Sequence, residues 1–217
     1  MLVYRVPHLY TYRSKQPGHT AHAGGFFLSK QALRKVLLAA RASLPAADRA
    51  ERSRRIAEHL LSFPPFLAAR TVALHAALGA EADPSPLAAA LRARGVRVVY
   101  PRARAGERVL GFAEAAPESL VRGPLGAPEP PPGAPEIAPA ELDALVLPGV
   151  GFSTDGHRLG RGGGYYDATV AAIPRALRVG LAFDVQLVAE LPREPHDARL
   201  DAVATETRLL VFQRETR

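Results

Sequence analysis

Cysteine is absent from this 217-residue chain. Its absence excludes disulfide bonds, zinc sites built on thiolates and a cysteine nucleophile. Any bound metal must therefore take oxygen or imidazole ligands. Magnesium, which prefers oxygen, fits that restriction best.

Long apolar runs are also missing, because no stretch approaches the roughly 18 residues that a membrane-spanning helix needs. The N-terminus does not show the basic, apolar and small-residue order of a secretory signal. We therefore expect a cytoplasmic protein without membrane partners. With 217 residues and a hydrophobic content of 47%, the chain is long enough to bury the core of one ordinary domain.

Lysine is scarce, with 3 lysines among 28 basic residues, and asparagine is absent. The net charge of +7 would suit nucleic acid, an acidic membrane surface or small polyanions, and it does not choose among them. The arginine bias is spread along the chain and is equally typical of a GC-rich or heat-adapted genome. Since no basic stripe is interleaved with aromatic residues, we expect no specific nucleic-acid partner.

Residues 1–29 differ from the rest, with no acidic residue and no sustained helical or strand period. They predict an N-terminal extension, which is either a disordered tail or mistaken start, or a docking segment. Residues 30–217 are predicted to form a single domain. Ser29 is expected to cap its first helix, on which Lys30 and Arg34 share a face, either as solvated charges or as a ligand clamp.

Strand and helix patterns alternate through the rest of the chain. Ser85 and Pro86 are typical of a helix start, as a cap followed by proline at the first helical position. The alternation predicts a three-layer α/β/α sandwich with a mostly parallel, Rossmann-like sheet. The predicted elements are helices near 48–62, 87–94, 165–173 and 185–191, and strands at 71–78, 96–100, 143–148, 179–183 and 200–204.

Residues 117–139 hold prolines at eight positions, 117, 124, 128, 130, 131, 132, 135 and 139. Proline lacks the backbone donor that helices and central strands use. We therefore expect no core element there, and the stretch is either a linker or a cover over an active site.

Three consecutive glycines, 162–164, stand between two arginines, Arg158 and Arg161, and a Tyr-Tyr-Asp sequence that opens a helical pattern. Glycines let a backbone approach phosphate oxygens, the N–H groups of a following helix point at an anion, and arginine matches phosphate geometry. Asp167, in the first turn, would suit a magnesium ion on bound phosphates. The pattern predicts a polyanion site, or else a glycine-rich turn with solvated arginines.

Two better-known phosphate patterns are excluded, since the chain has neither a Walker A loop nor a G-x-G-x-x-G fingerprint. In parallel sheets ligands bind beyond the carboxyl ends of the strands. The glycine loop and the loop that holds Glu81 both follow predicted strands, so they are expected at the same edge of the sheet.

These segments together resemble the 5-formyltetrahydrofolate cyclo-ligase family, also called methenyltetrahydrofolate synthetases. The resemblance covers about residues 30–207 and keeps the family's order of motifs, of which R-L-G-x-G-x-G-Y-Y-D is specific by itself. The segments that carry it are 30–34, 79–83, 125–130, 147–152, 158–167 and 180–197.

The resemblance implies an α/β/α sandwich enzyme that uses ATP and Mg²⁺ to convert 5-formyltetrahydrofolate into 5,10-methenyltetrahydrofolate, ADP and phosphate. It implies that Glu81 binds the folate, because a carboxylate can accept paired N–H donors of a pterin edge. It also implies magnesium ligands at Asp167 and Asp197, and catalytic roles for Lys30, Arg161 and Tyr165. The implied ATP-binding residues are Lys30, Gln31, Ala32, Leu33, Arg34, Arg158, Leu159, Gly160, Arg161, Gly162, Gly163, Gly164, Tyr165 and Tyr166, and the segment Arg161 to Tyr165 also borders the folate.

Two positions depart from the family pattern. Pro84 stands where the acidic loop commonly has threonine, and the aspartate often seen directly after Phe152 is missing, with Asp155 two positions later. Neither change removes a residue with an implied role. A relative that binds folate or nucleotide without turnover is the alternative, although such a binder has no need of both magnesium carboxylates.

Overall fold

A computed structural model describes residues 28–192, 194 and 198–213. The predicted extension, apart from its last two residues, and the predicted metal ligand Asp197 lie outside the described residues. The helices are α1 Lys30–Ala42, α2 Ala46–Leu61, α3 Pro64–Leu67, α4 Ser85–Ala93 and α5 Tyr165–Ala172. The strands are β1 Thr71–Ala73, β2 Arg97–Arg102, β3 Gly111–Glu114, β4 Val121–Arg122, β5 Pro128–Glu129, β6 Glu136–Ile137, β7 Ala144–Leu147, β8 Gly151–Ser153, β9 Arg158–Leu159, β10 Leu177–Leu181, β11 Leu187–Val188, β12 Ala202–Ala204 and β13 Leu209–Val211.

An eight-stranded sheet forms the centre of the molecule, in the order β13-β12-β10-β7-β1-β2-β3-β6. The five strands from β12 to β2 run parallel, while β13, β3 and β6 pair antiparallel at the two edges. The mostly parallel α/β sheet predicted from the alternating patterns is therefore confirmed. Regular pairing of β1 ends at Ala73, so that strand is shorter than the predicted 71–78.

Both faces of the sheet are covered. Ile56 of α2, Phe66 of α3 and Leu87 of α4 pack into one cluster with inward residues of the parallel strands. On the opposite face, Val170 of α5 packs with Phe152 of a smaller sheet, ordered β11-β8-β9, in a second cluster. The result is three layers, in which the second helical layer is one helix supplemented by the small sheet.

Helix α1 attaches to the small sheet rather than to the large one. Ser29 caps it by accepting a hydrogen bond from the backbone N–H of Ala32 at 3.2 Å, as predicted. Its buried Leu33 and Leu37 pack against Leu159 of β9 in a third cluster. Because β9 leads directly into the glycine loop, this apolar contact sets the distance between α1 and that loop.

The prediction that the proline-rich stretch holds no core element is wrong at its end. Residues Glu136–Ile137 form β6, which pairs antiparallel with β3, and Ile137 is buried. Prolines are tolerated beside β6 because an edge strand needs ladder hydrogen bonds on one side alone. The earlier part of the stretch forms a hairpin of β4 and β5.

The helix predicted near 185–191 is also wrong. Residues Asp184–Gln186 form a single 3₁₀ turn that leads into β11. The Gln186 side chain closes the turn by accepting the backbone N–H of Phe183 at 3.0 Å, while its amide donates to the carbonyls of Gly149 and Val150. An apolar run of this length does not distinguish a short helix from a buried strand.

The predicted capping role of Ser85 is wrong as well. Helix α4 begins at Ser85 itself, and Pro84 occupies the cap position without a side-chain hydrogen bond. The Ser85 hydroxyl donates instead to a carboxylate oxygen of Asp83 at 2.7 Å. No helix in the described part of the chain is long and apolar enough to span a bilayer.

Gly180 of β10 is expected to be intolerant of a side chain. A Cβ at this position would lie 2.5 Å from Cε1 of Phe152, which packs the small sheet onto the large one. Gly180→Ala should lower the free energy of unfolding by about 1–3 kcal/mol through overpacking. Chemical denaturation measures it.

The matched background is Phe152→Leu, whose shorter side chain makes room at Gly180. There the alanine should cost less than in the wild type. An equal cost in both backgrounds would contradict the steric explanation.

Candidate active site

A cleft of about 290 Å³ lies beyond the carboxyl ends of the central parallel strands. The glycine loop, residues 160–164, forms one wall, and Glu81 and the β4–β5 hairpin contribute to the others. A second cleft of about 480 Å³ adjoins it and shares His75, Ala76, Glu81 and Pro128. The hairpin lines this cleft, so the stretch is not a simple linker, and its role as an active-site cover stays a prediction.

The glycine loop requires glycine at two of its positions. Gly162 has φ +104° and Gly164 has φ +71°, conformations that residues with a side chain rarely adopt. Gly164 is the cap residue of α5, and the first turn of that helix lines the cleft. The backbone N–H groups of this first turn have no partners within the helix, so they are available to an anion in the cleft.

Arg34 joins α1 to the glycine loop. Its Nε donates to the carbonyl oxygen of Gly160 at 2.8 Å, and its guanidinium lies 3.7 Å from the position of a Cβ on Gly162. Lys30, one turn earlier, pairs with Glu194 at 3.2 Å. The loop therefore has a fixed cation beside its backbone before any ligand binds.

Arg158 and Asp167, which flank the glycine loop on its two sides, are joined by a hydrogen bond. Nη2 of Arg158 donates to Oδ1 of Asp167 at 2.5 Å, and Nη1 donates to the Pro148 carbonyl at 3.2 Å. The same guanidinium lies 5.7 Å from the ring centroid of Tyr166. Burial raises the pKa of Tyr166, with nearby Glu81 adding to it and Arg158 opposing it, so the phenol stays neutral and can donate a hydrogen bond.

Glu81 and Arg161 both line the cleft and form an ion pair. Oε1 of Glu81 accepts from Nη2 of Arg161 at 2.8 Å and from its Nε at 3.2 Å, while Oε2 accepts the backbone N–H of Leu78 at 3.0 Å. The Glu81 side chain is 8% exposed and that of Arg161 is 51% exposed. The predicted folate carboxylate and the predicted phosphate loop are thus in direct contact.

Three further charged or titratable groups near the cleft were missed by sequence reasoning. The first, Arg41, lies in the last turn of α1 with a side chain 4% exposed, 3.8 Å from Glu81 Oε1. Burial lowers the pKa of Arg41; Glu81 opposes this shift and Arg161 adds to it. Arg41 stands among alanines and leucines in the sequence of α1, and this context does not indicate a functional role.

His75 and Glu129 are the other two. Burial lowers the pKa of His75, which keeps the ring neutral, and its Nδ1 has no hydrogen-bond partner within the described residues. Burial raises the pKa of Glu129, whose carboxylate accepts the backbone N–H of Ala103 at 3.1 Å. Both side chains line the main cleft. His75 follows an apolar strand and Glu129 lies between prolines, so neither stood out.

The structure brings most of the predicted site residues together, although not all through their side chains. Leu33 and Leu159 are buried in an apolar cluster, so a ligand can reach their backbone atoms alone. Gln31 and Ala32 belong to the first turn of α1 and do not line the main cleft. The predicted residues that do line it are Glu81, Arg158, Gly160, Arg161, Gly162, Gly163, Gly164, Tyr165, Tyr166 and Asp167.

Asp167 has the donor type that magnesium needs. Its carboxylate lines the cleft and its side chain is 34% exposed. Within residues 28–192, 194 and 198–213, no group of three or more histidine, aspartate or glutamate side chains gathers for a metal. Magnesium on nucleotides commonly uses one or two carboxylates together with phosphate oxygens and water, so the residues present fit such an ion.

The chain is similar to known proteins over most of its length. Relatives from Mycolicibacterium smegmatis and Escherichia coli strain K12, both named 5-formyltetrahydrofolate cyclo-ligase, are 34% and 35% identical over 192 and 176 residues. These alignments cover 86% and 78% of this chain, and 98% and 96% of the relatives.

Solved structures agree with this similarity. The structure of 5,10-methenyltetrahydrofolate synthetase from Aquifex aeolicus superposes with a TM-score of 0.74 at 28% identity, covering 87% of this chain and 95% of that one. A synthetase from Mycoplasma pneumoniae superposes with a TM-score of 0.68 at 24% identity, covering 82% and 99%, and supports the fold alone. The profile of the 5-formyltetrahydrofolate cyclo-ligase family matches residues 28–206, and the chain belongs to that family.

Proposed function

We propose that this protein is an ATP-dependent 5-formyltetrahydrofolate cyclo-ligase, which forms 5,10-methenyltetrahydrofolate, ADP and phosphate. The observation that carries the proposal within the site is the ion pair between Glu81 and Arg161, at 2.8 Å. The pair brings the Glu81 carboxylate, which suits the N–H donors of a pterin edge, into contact with the glycine loop, which suits phosphates. The family and the relatives described above have the same activity in their names.

The reaction needs activation because a formyl oxygen is a poor leaving group. The formyl oxygen attacks the γ-phosphorus of ATP and ADP leaves. N10 then attacks the activated carbon, loses its proton, and the C–O bond breaks with departure of phosphate. Phosphoryl transfer needs positioning and charge neutralisation more than a covalent nucleophile.

The phosphates would lie along the glycine loop, between Arg34 and the first turn of α5. Arg34 already holds the Gly160 carbonyl, so it is oriented before ATP binds. Lys30 is the second cation of α1 that the family resemblance assigns to ATP. The neutral phenol of Tyr166 and the backbone N–H groups at Tyr165 add uncharged donors.

The folate would lie on the Glu81 side of the loop, against Arg161 and Tyr165. A carboxylate that is 8% exposed is a strong acceptor for paired N–H donors. Because Arg161 is half exposed, its pairing with Glu81 is worth on the order of 1 kcal/mol, and phosphate oxygens can replace it at little cost. Arg161 is therefore suited to contact both substrates.

Asp167, with Asp197 from outside the described residues, would hold magnesium. When bound, the ion neutralises phosphate oxygens and orients them for in-line transfer. Arg158 would orient the Asp167 carboxylate through the hydrogen bond from its Nη2 to Oδ1. The cytoplasmic location and the absence of a specific nucleic-acid partner stay predictions.

The direct test mixes purified protein with 5-formyltetrahydrofolate, ATP and Mg²⁺. The near-ultraviolet absorbance of the methenyl product should rise, with one ADP released for each product formed, because activation consumes one phosphoryl group per ring closed. Reactions without ATP are the control. Folded protein that binds the folate but forms no product would show a binder instead of an enzyme.

Asp167→Asn should reduce turnover by on the order of 100-fold, because it removes the carboxylate charge that would hold the metal on the phosphates. The fold should persist, because the asparagine oxygen can still accept from Arg158, while thermal stability should fall, because that arginine is 6% exposed and loses its charge partner. Asp48→Asn, at an exposed position of α2, is the matched control. The measurement is turnover as a function of Mg²⁺ concentration.

The metal role predicts that the variant needs more Mg²⁺ to reach half its maximal rate. If turnover falls while the Mg²⁺ dependence stays that of the wild type, Asp167 acts by positioning Arg158 and the metal assignment is wrong.

A further inference from the structure

Arg41 is a buried cation behind the Glu81 carboxylate, outside the residues that the motifs pointed to. Its side chain is 4% exposed, and its Nη1 lies 3.8 Å from Oε1 of Glu81. The same Nη1 donates to the carbonyl oxygen of Gly149 at 3.2 Å. Arg41 thus touches both the carboxylate and the end of the central strand β7, without lining the cleft itself.

Burying an arginine this deeply removes the hydration of its charge. That loss is unfavourable unless an opposite charge and hydrogen bonds compensate for it. Its Nε has no hydrogen-bond partner within the described part of the chain, so hydrogen bonding does not fully repay the burial. The acid within salt-bridge distance among the described residues is Glu81. Attraction to that carboxylate is therefore the favourable interaction that the position offers.

Glu81 has two cationic neighbours that differ in exposure. Arg161 is 51% exposed and belongs to the glycine loop, whereas Arg41 is enclosed and held by Gly149. If Arg41 were absent, Arg161 turning toward a phosphate would leave Glu81 as a nearly buried carboxylate with the Leu78 N–H as a donor but with no cationic partner. A cation that cannot leave removes that cost, because burying an unpaired charge is strongly unfavourable.

We propose that Arg41 is the positioning residue for Glu81, keeping the carboxylate oriented toward the folate while Arg161 engages phosphate. This inference rests on the proposed function for the identity of the ligand. It also gives α1 two roles, since Arg34 at one end of the helix holds the glycine loop and Arg41 near the other end holds the folate carboxylate. Helix α1 then fixes both substrate subsites relative to each other.

The test measures equilibrium binding of 5-formyltetrahydrofolate by calorimetry without ATP, and binding of a non-hydrolysable ATP analogue separately. Arg41→Met removes the charge while keeping most of the side-chain length. It should weaken folate binding about tenfold and change binding of the ATP analogue less than twofold. Lys35→Met, an exposed charge removal on the same helix, should change neither.

A double-mutant cycle separates positioning from general damage. In a Glu81→Gln background, Arg41→Met should have little further effect on folate affinity, because the charge that it orients is gone. Arg41→Lys, which keeps the charge, should recover most of the affinity. If Arg41→Met does not fold, Arg41→Gln, which can still donate to the Gly149 carbonyl, replaces it in the same cycle.

Several results would overturn the inference: unchanged folate affinity in Arg41→Met, equal weakening of folate and ATP-analogue binding by that variant, or full additivity with Glu81→Gln. Wild-type protein that binds folate without turning it over would refute the proposed function. The binding measurements on the Arg41 variants would still decide the role of Arg41. Wild-type protein that binds no folate would refute both.

Discussion

The candidate cleft depends on the backbone carbonyls that follow the central strand β7. Pro148 accepts from Arg158, Gly149 accepts from Arg41 and Gln186, and Val150 accepts from Gln186. A parallel strand that ends inside the molecule leaves such carbonyls without ladder partners, and buried carbonyls must find donors. Here the donors are two guanidinium groups and one amide, and both guanidinium groups continue to carboxylates of the cleft, Asp167 and Glu81.

These hydrogen bonds explain how a glycine-rich loop, which is flexible by itself, can be held in one position. Arg158, just before the loop, is fixed to the Pro148 carbonyl that follows β7. The Gly160 carbonyl is fixed to α1 through Arg34, and the loop ends at the start of α5. The part between, around Arg161, is held by a half-exposed ion pair that ligands can exchange. Fixed donors thus surround an exchangeable segment, which is the combination that the proposed phosphoryl transfer needs.

Sequence patterns predicted most of the features that depend on local chemistry. Ser29 as a cap, the start of α5 after the three glycines, and the alternation of strand and helix all follow from backbone preferences of nearby residues, whereas the predicted cap at Ser85 was wrong. The edge strand β6 and the turn at Asp184 were mispredicted because long-range pairing decided them. Proline content and the length of an apolar run carry no information on which distant strands will pair.

The site shows the same division. The resemblance to a family supplied Glu81 and the glycine segment, and the structure brings these distant segments into contact. Arg41, His75 and Glu129 could not be found from the sequence, because each is an isolated polar residue in an apolar or proline-rich context. Their relevance lies in burial next to the cleft, which is a property of the folded chain alone.

The central claim is that ATP activates the formyl oxygen inside this cleft, and an oxygen label tests it most directly. With ¹⁸O in the formyl group of 5-formyltetrahydrofolate, the account predicts that the label leaves on the inorganic phosphate, because that oxygen becomes phosphorylated before the C–O bond breaks. Mass spectrometry of the released phosphate measures it. Unlabelled phosphate formed in step with the methenyl product would contradict the account.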